Sequence, residues 1–262
     1  MANTDRDDGA AASTSLPESR LGTKAHWDEV YAREVKNFND FGDEGEVWFG
    51  EDSVDRMVRY IQRYLEQRQE EHEEPAASEL SVLDLGTGNG HMLFALLEGD
   101  AETALSASRM KGVDYSAGSI SLAKSIGMRK AAEEQDQSYQ EVAFEVLDLL
   151  DAKAVDALRN SGSPAGWDLV CDKGTYDAIA LSSQLINGAL PVDLYLRAVK
   201  SLTKAGGIFL ITSCNFTEQE LTAKFANSKA GFEVKDFVPT AKFSFGGQTG
   251  STTTTISFKR LS

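Results

Sequence analysis

Three glycines at alternate positions give this chain of 262 residues its first candidate for chemistry. They are Gly86, Gly88 and Gly90 of LDLGTGNGH, residues 83–91, and they follow an apolar run directly. Glycines let a backbone approach a ligand closely, and the start of a following helix offers N–H donors and positive partial charge. The dinucleotide fingerprint needs a further glycine where this chain has His91. The spacing therefore favours a different cofactor.

Acidic residues end the next apolar runs. Asp114 ends the second run, Asp148 the third and Asp172 the fourth. The carboxyl ends of parallel strands meet at one edge of a sheet, where open α/β sheets bind ligands. At that edge Asp114 can accept from ribose hydroxyls, Tyr115 can stack on adenine, and Asp148 can accept from the adenine amino group. One acid alone is as well explained as a solvated charge, but the set predicts a nucleoside cofactor. With Asp84 ahead of the glycines, the pattern is typical of S-adenosylmethionine binders.

The fourth run has an unusual ending. DLVCDKGTYDAI, residues 168–179, passes from apolar residues to Asp172, Lys173, a glycine and then Tyr176. Because this ending lies at the ligand-binding edge of the sheet, we expect its opposite charges and its phenol to lie between the cofactor and the substrate.

Alternating apolar runs and helical patterns must position these residues. Strands are expected at 81–85, 110–115, 142–149, 167–172 and 207–214, with helices at 89–98, 116–126, 151–160 and from Pro191 to the glycine pair 206–207. This alternation predicts an α/β fold with a parallel sheet and helices on both faces. The last two strands, 232–239 and 252–261, are joined by a glycine-rich loop too short for a crossover helix, so we expect an antiparallel pair.

The N-terminal third has a different organisation. Residues 1–21 are small, polar and acidic, and we expect a disordered tail followed by a single domain over 22–262. A short helix at 24–36, an irregular aromatic segment and a helix at 52–69 capped by Asp52 or Ser53 should precede the sheet.

Composition excludes several classes of protein. The net charge is −15, and residues 1–80 alone carry 20 acids against 9 bases, so a nucleic-acid backbone is an unfavourable partner. No run reaches the length of a membrane span, and the N-terminus lacks the features of a signal or transit peptide. Cys171 and Cys214 read as reduced thiols, and the three histidines form no metal-ligand spacing with them. We expect a cytoplasmic protein without a metal.

The motifs EVWFGED, LDLGTGNG, GVDYS, LDLL and DKGTYDAI together resemble the seven-strand methyltransferases that modify lysine on translation elongation factor 1-alpha. The resemblance runs from about Trp27 to Leu261. It implies a Rossmann-like sheet of order 3-2-1-4-5-7-6 with an antiparallel seventh strand, an N-terminal helical and aromatic cover, and S-adenosylmethionine as cofactor. It also implies a basic protein substrate and a monomeric cytoplasmic enzyme.

The same resemblance assigns residues to the cofactor. It places Asp84, Gly86, Gly88, Asn89 and Gly90 around the methionine moiety. Asp114 and Tyr115 would hold the ribose, and Asp148 and Leu149 the adenine. Asp172 and Lys173 would border the methyl group. The cover would contribute Trp27, Trp48 and Phe49, which are equally good candidates for plain core. We also expect Asp172 and Tyr176 to act as the catalytic pair that orients the acceptor nitrogen.

Other functions on this fold remain open. A small-molecule methyltransferase would have the same sheet and cofactor residues and would differ in the cover and in the loop after the fourth strand. A non-catalytic binding partner would typically lose the glycines or the ribose acid, and both are present. An adenine methyltransferase of nucleic acid normally carries an Asn/Asp-Pro-Pro-aromatic loop where this chain has DKGTY.

Overall fold

A seven-stranded sheet forms the centre of the computed structural model, which describes residues 16–72, 74–99, 104–162, 165–240, 243–245, 248–250 and 252–262. The strands of this sheet are β1 (Val82–Leu85), β2 (Met110–Asp114), β3 (Ala143–Val146), β4 (Trp167–Lys173), β5 (Thr203–Ser213), β6 (Phe232–Val238) and β9 (Thr254–Arg260). A separate two-stranded ribbon consists of β7 (Phe243–Phe245) and β8 (Gln248–Gly250).

The strand order of the sheet is β3-β2-β1-β4-β5-β9-β6. Strand β9 runs antiparallel to both β5 and β6, and the remaining neighbouring pairs are parallel. Because β9 is the seventh strand of this sheet, the predicted order 3-2-1-4-5-7-6, the α/β fold class and the antiparallel final pair are confirmed. The register sets Leu85 opposite both Val113 and Asp172, so the carboxyl ends of β1, β2 and β4 meet at one edge.

Helices cover both faces of the sheet. They are α1 (Lys24–Phe41), α2 (Glu51–Glu70), α3 (His91–Leu97), α4 (Ala117–Glu134), α5 (Ser138–Glu141), α6 (Ala152–Gly162), α7 (Thr175–Ala180), α8 (Pro191–Leu202) and α9 (Glu218–Phe225). Alternate strand residues point to opposite faces. In β4, Leu169 and Cys171 pack in the core formed with α1–α4, whereas Val170 packs in the core formed with α6, α8 and α9.

Several boundaries differ from the sequence prediction. Helices α1 and α4 extend beyond their predicted ends at 36 and 126, and α7 and α9 were not predicted because each is short. The cap of α2 is Gly50, not Asp52 or Ser53, and the Ser53 hydroxyl instead donates to the Phe49 carbonyl at 2.9 Å. The glycine pair 206–207 lies within β5, which begins at Thr203, so it does not end the preceding helix.

Part of the predicted disordered tail, residues 1–15, lies outside the described residues. The adjoining residues are ordered against the domain. Arg20–Gly22 forms a 3-10 turn, and the Ser19 N–H donates to the Leu181 carbonyl at 3.2 Å. Among the helices that the structure describes, none combines the length and apolar character that a membrane span requires.

Candidate active site

A cavity of about 380 Å³ opens at the edge of the sheet where β1, β2 and β4 end. Its floor is the turn between β1 and α3. Its walls come from α1, from residues 46–48, from the segment after β3 and from the chain between β4 and α8. A cavity of this kind, at the carboxyl ends of parallel strands, is the standard place for a cofactor in an open α/β sheet.

Two glycines of the β1–α3 turn lie where a side chain would clash with neighbouring protein atoms. Gly86 has φ +66°, and a Cβ on it would lie 1.9 Å from Thr175 Oγ1. That hydroxyl donates to the Leu85 carbonyl at 2.7 Å, so the turns after β1 and β4 are joined directly. Gly88 has φ +59°, and a Cβ on it would lie 2.9 Å from the Tyr31 hydroxyl. Both glycines line the cavity.

Gly90 has a different role from the one the resemblance implies. It precedes α3 with φ +82°, and a Cβ on it would lie 2.9 Å from the rings of Phe94 and Phe144. It does not line the cavity. The third glycine of the motif therefore serves the close packing of α3 on the sheet, and its contact with the cofactor stays a prediction.

Asp114 is held in place by backbone donors. Its Oδ2 accepts from the Gly88 N–H at 3.2 Å, and its Oδ1 accepts from the Ser116 N–H at 2.9 Å. Burial raises the pKa of this carboxyl. Because each carboxylate oxygen has a second lone pair, Asp114 can still accept from a ligand in the cavity that it lines. Tyr115 lines the cavity beside it, with Lys24 Nζ 5.6 Å from the ring centroid.

Asp84 and Lys173 bring opposite charges to the same part of the cavity wall. Asp84 is buried, and burial raises its pKa to about 6, while the charge of Lys173 acts in the opposite direction. Burial lowers the pKa of Lys173. The Lys173 ammonium donates to the carbonyl of Trp48 at 2.7 Å and so connects the end of β4 to the N-terminal cover.

The segment after β3 forms another wall. Asp148 and Leu149 both line the cavity. Asp148 is exposed, and its Oδ1 accepts from the Leu150 N–H at 2.8 Å. Leu149 is buried in the core against the sheet. The carboxylate is thus fixed at the rim while the apolar side chain closes the wall beneath it.

Two of the three aromatic residues predicted for the cover line the cavity. The rings of Trp27 and Trp48 lie 4.5 Å apart between centroids, and Trp27 Nε1 donates to the Leu21 carbonyl at 2.7 Å. Phe49 does not line the cavity, because its ring lies against Gly174, where a Cβ would be 2.8 Å away. The contact that the structure shows for Phe49 is one of packing, and its cofactor contact stays a prediction.

Asn89 and Arg129 hold the segment that leads to Trp48. Asn89 lines the cavity, and its Nδ2 donates to the Glu44 carbonyl at 3.0 Å. The guanidinium of Arg129 on α4 pairs with the Glu44 carboxylate and lies 4.7 Å from the Phe38 ring. The cover is therefore attached at Glu44 as well as at Trp48.

The structure turns Asp172 away from the cavity. Its side chain is fully buried, with Oδ1 accepting from the Thr175 N–H at 2.8 Å and Oδ2 from the Tyr176 N–H at 3.0 Å. The Tyr195 hydroxyl of α8 also donates to Oδ2. Burial raises the pKa of Asp172 to about 7. The carboxylate accepts from the N–H groups at the start of α7 and does not line the cavity, and its contacts with the methyl group and the acceptor nitrogen stay a prediction that this position does not support.

Tyr176 is likewise a core residue. Its ring lies 5.4 Å from Tyr195, 5.0 Å from Phe216 and 5.3 Å from Phe225, and it does not line the cavity. The catalytic role expected of it stays a prediction, which this position does not support. Strand alternation is the physical reason: Asp172 shares a face with Val170, toward α8, while Lys173 points to the other face and reaches the cavity.

Other cavity residues were not found from the sequence. They come from helices and loops in several parts of the chain; they include Tyr31, Glu46, Thr87, His91, Ile179 and Ile186. The hydroxyl of Thr87 is buried, and its hydrogen bond to the Asp84 carboxylate lowers the pKa of Asp84. Its position after Gly86 was the available signal. Among the described residues, no group of three or more His, Cys, Asp and Glu side chains could hold a metal.

Comparisons with known proteins match nearly the whole chain. A family model described as a methyltransferase domain matches residues 76–251. Protein-lysine N-methyltransferase efm4 of Schizosaccharomyces pombe is 44% identical over 247 residues, 94% of this chain and 96% of the relative. The human EEF1A lysine methyltransferase 2 is 36% identical over 255 residues, 97% of this chain and 93% of that protein.

Solved structures support the same architecture. The 1,6-didemethyltoxoflavin-N1-methyltransferase of Burkholderia thailandensis, solved with S-adenosylhomocysteine, has a TM-score of 0.52 at 16% identity, covering 94% of this chain and 93% of that one. At this identity the likeness concerns the fold.

Proposed function

Because the chain belongs to the methyltransferase family that includes these protein-lysine methyltransferases, we propose that it transfers a methyl group from S-adenosylmethionine to a lysine of translation elongation factor 1-alpha. The observation that carries the proposal is near full-length similarity to a relative named as a protein-lysine N-methyltransferase, at 44% identity, and to one named as an EEF1A lysine methyltransferase, at 36%. We also propose that residues 22–262 form a single domain and that the cavity at the carboxyl edge of its sheet is the site of the reaction.

The residues around the cavity fit this cofactor. The Asp114 carboxylate is buried, lines the cavity and keeps lone pairs that its two backbone donors leave free for a ligand. Gly86 and Gly88 allow the turn its positive φ and its close packing against Thr175 and Tyr31, and the methionine end would lie against this turn, beside Asp84 and Asn89. Asp114 and Tyr115 would hold the ribose and the adenine face, with Asp148 and Leu149 on the adenine edge. S-adenosylmethionine supplies a methyl group that is already activated by its positively charged sulfur.

The protein's main contribution is alignment. In-line methyl transfer needs the amine, the methyl carbon and the sulfur on one line, and holding them there supplies much of the rate acceleration. Trp27 and Trp48 form an aromatic wall suited to the apolar stem of a lysine side chain. Asp172 acts indirectly. By accepting from the N–H groups at the start of α7, it fixes the turn that carries Lys173.

The acceptor amine must be neutral when it attacks. A free lysine has a pKa near 10.4, and both desolvation and a neighbouring positive charge lower it. The apolar wall supplies the desolvation, and the Lys173 ammonium, held by the Trp48 carbonyl, supplies the charge. Neither Asp172 nor Tyr176 reaches the cavity to take the proton, so we infer that it leaves through solvent.

A labelling experiment tests this function against transfer to a small molecule. The protein is incubated with methyl-labelled S-adenosylmethionine and a cytosolic extract, beside a matched reaction with the Gly86→Ala variant. The expected result is a labelled protein of the size of the elongation factor, absent with the variant. Label that appears only in the small-molecule fraction would instead assign a small-molecule methyltransferase.

We also propose the charge of the enzyme's partner, its compartment and its oligomeric state. A net charge of −15 favours encounter with a basic protein and disfavours direct contact with nucleic acid. We propose a cytoplasmic monomer. Size-exclusion chromatography with light scattering should give a mass close to 28.5 kDa, and a dimer mass would contradict this assignment.

A further inference from the structure

The chain between α7 and α8 contains an unusual uncharged surface beside the cavity. Residues 178–192 carry no charged side chain, in a protein in which 26% of residues are charged. Leu185 and Leu190 within it are 58% and 43% exposed. Depletion of charge together with exposed apolar side chains is the composition found at the centre of protein–protein interfaces.

This surface is continuous with the candidate active site. Gln184 and Ile186 line the cavity, as do Ile179 before them and Pro191 after them. The exposed leucines therefore lie directly next to residues that form the cavity wall. A small-molecule acceptor would be enclosed by the cavity and would have no use for apolar groups outside it.

The surface is also rigidly built. Ile186 and Ala189 exchange two backbone hydrogen bonds of 3.0 Å, across a two-residue turn in which Asn187 and Gly188 have φ +50° and +79°. Positive φ at both central positions is typical of a type I′ hairpin turn. A preformed turn loses little conformational entropy when a partner binds it.

The N-terminal segment contacts the chain that leads into this turn. The Ser19 N–H donates to the Leu181 carbonyl at 3.2 Å, and the Ser183 hydroxyl donates to the Glu18 carboxylate. Gly22 lies so close that a Cβ on it would be 2.7 Å from Leu181 backbone atoms. Residues 18–22 thus hold the segment against the domain.

We propose that the Leu185–Leu190 surface, residues 184–190, is the docking surface for the protein substrate. The partner is the folded elongation factor, which would place an apolar patch next to its target lysine on Leu185 and Leu190 while the lysine enters the cavity. This inference rests on the proposed function for the identity of the partner. It adds where the substrate binds and why a folded protein, not a free amine, is the acceptor.

The test is a double variant, Leu185→Ser with Leu190→Ser. Its matched control is Leu261→Ser, since Leu261 is 42% exposed and follows β9 at the opposite end of the sheet from the cavity. Binding of recombinant elongation factor is measured by calorimetry, beside its methylation and the affinity for S-adenosylmethionine. Since both leucines lose the free energy of burying their apolar side chains, Kd and KM for the factor should both rise about tenfold or more in the double variant.

Other properties should stay at wild-type values. The turnover number at saturating factor, the Kd for S-adenosylmethionine and the melting temperature should not change in the double variant, and the control should bind the factor normally. The proposal is overturned if the double variant binds the factor within twofold of wild type, if the control weakens binding equally, or if the wild type does not bind the factor. Binding without methyl transfer would overturn the proposed function and leave the docking surface standing.

Discussion

Removing the hydroxyl of Tyr195 should weaken the fold in a pH-dependent way. This hydroxyl donates to the carboxylate of Asp172, which has no exposure to solvent and also accepts two backbone N–H groups. A hydrogen bond to a charged group contributes about 1.5–3 kcal/mol, and a neutral one about 0.5–1.5 kcal/mol. Tyr195→Phe should therefore lower the free energy of unfolding by about 2 kcal/mol where Asp172 is ionised. For a protein of this size the melting temperature would fall by roughly 4–8 °C.

The sign of the pH dependence follows from the direction of the shift. Burial raises the pKa of Asp172 to about 7, above its unfolded value of about 3.9. The folded state therefore binds a proton more readily, and the stability gained from the protonated carboxyl is lost as the pH rises through about 7. The Tyr195 hydroxyl favours the ionised form, so the loss on Tyr195→Phe should be larger at pH 8.5 than at pH 5.5.

Urea unfolding of wild type and variant at both pH values measures this difference. Tyr60→Phe is the matched control, because the Tyr60 hydroxyl donates at 2.6 Å to the carboxylate of Asp236, an exposed residue. The control should lose less stability, and equally at both pH values. A loss for Tyr195→Phe that is absent, or that is the same at pH 5.5 and 8.5, would refute the role assigned to the Asp172–Tyr195 pair.

Three further variants probe the cavity itself. Gly86→Ala should abolish S-adenosylmethionine binding in calorimetry, because its Cβ would lie 1.9 Å from Thr175 Oγ1. Gly206→Ala is the control, since Gly206 has a similar φ but no atom near its Cβ position. Equal losses of binding in both variants would contradict the steric reason. Asp114→Ala should weaken that binding about 30-fold or more, from loss of charged hydrogen bonds, with an unchanged far-ultraviolet circular dichroism spectrum; unchanged affinity would remove Asp114 from the cofactor site. Lys173→Met removes the positive charge beside the acceptor, so the pH profile of the turnover number should move to higher pH; an unmoved profile would exclude Lys173 from lowering the acceptor pKa.

The sheet was predictable because its strands carry strong local signals. Each strand near the site is a short apolar run, and Asp114 follows from the position of a carboxylate where such a run ends. The same rule misplaced Asp172, because it considers the end of a strand but not the face. The alternation from Val170 to Lys173 was present in the sequence and would have assigned Lys173 to the cavity and Asp172 to the core.

Residues that reach the site from distant elements were harder to predict. Gly90 has the spacing of a ligand-binding glycine, yet the rings of Phe94 and Phe144 decide its role, and those contacts depend on how α3 packs on β3. Tyr31 and Ile186 carry no motif at all. The absence of charge across residues 178–192, in contrast, was visible in the sequence and could have indicated a surface beside the site.

Mass spectrometry of the elongation factor is the most direct test that this protein methylates one of its lysines. Recombinant unmodified elongation factor 1-alpha is incubated with the protein and S-adenosylmethionine, and peptides are sequenced before and after reaction. We expect added methyl groups on a single lysine. None should appear after replacement of that lysine by arginine, and none with the Gly86→Ala variant. An elongation factor that stays unmodified, while the protein binds S-adenosylmethionine normally, would contradict this expectation.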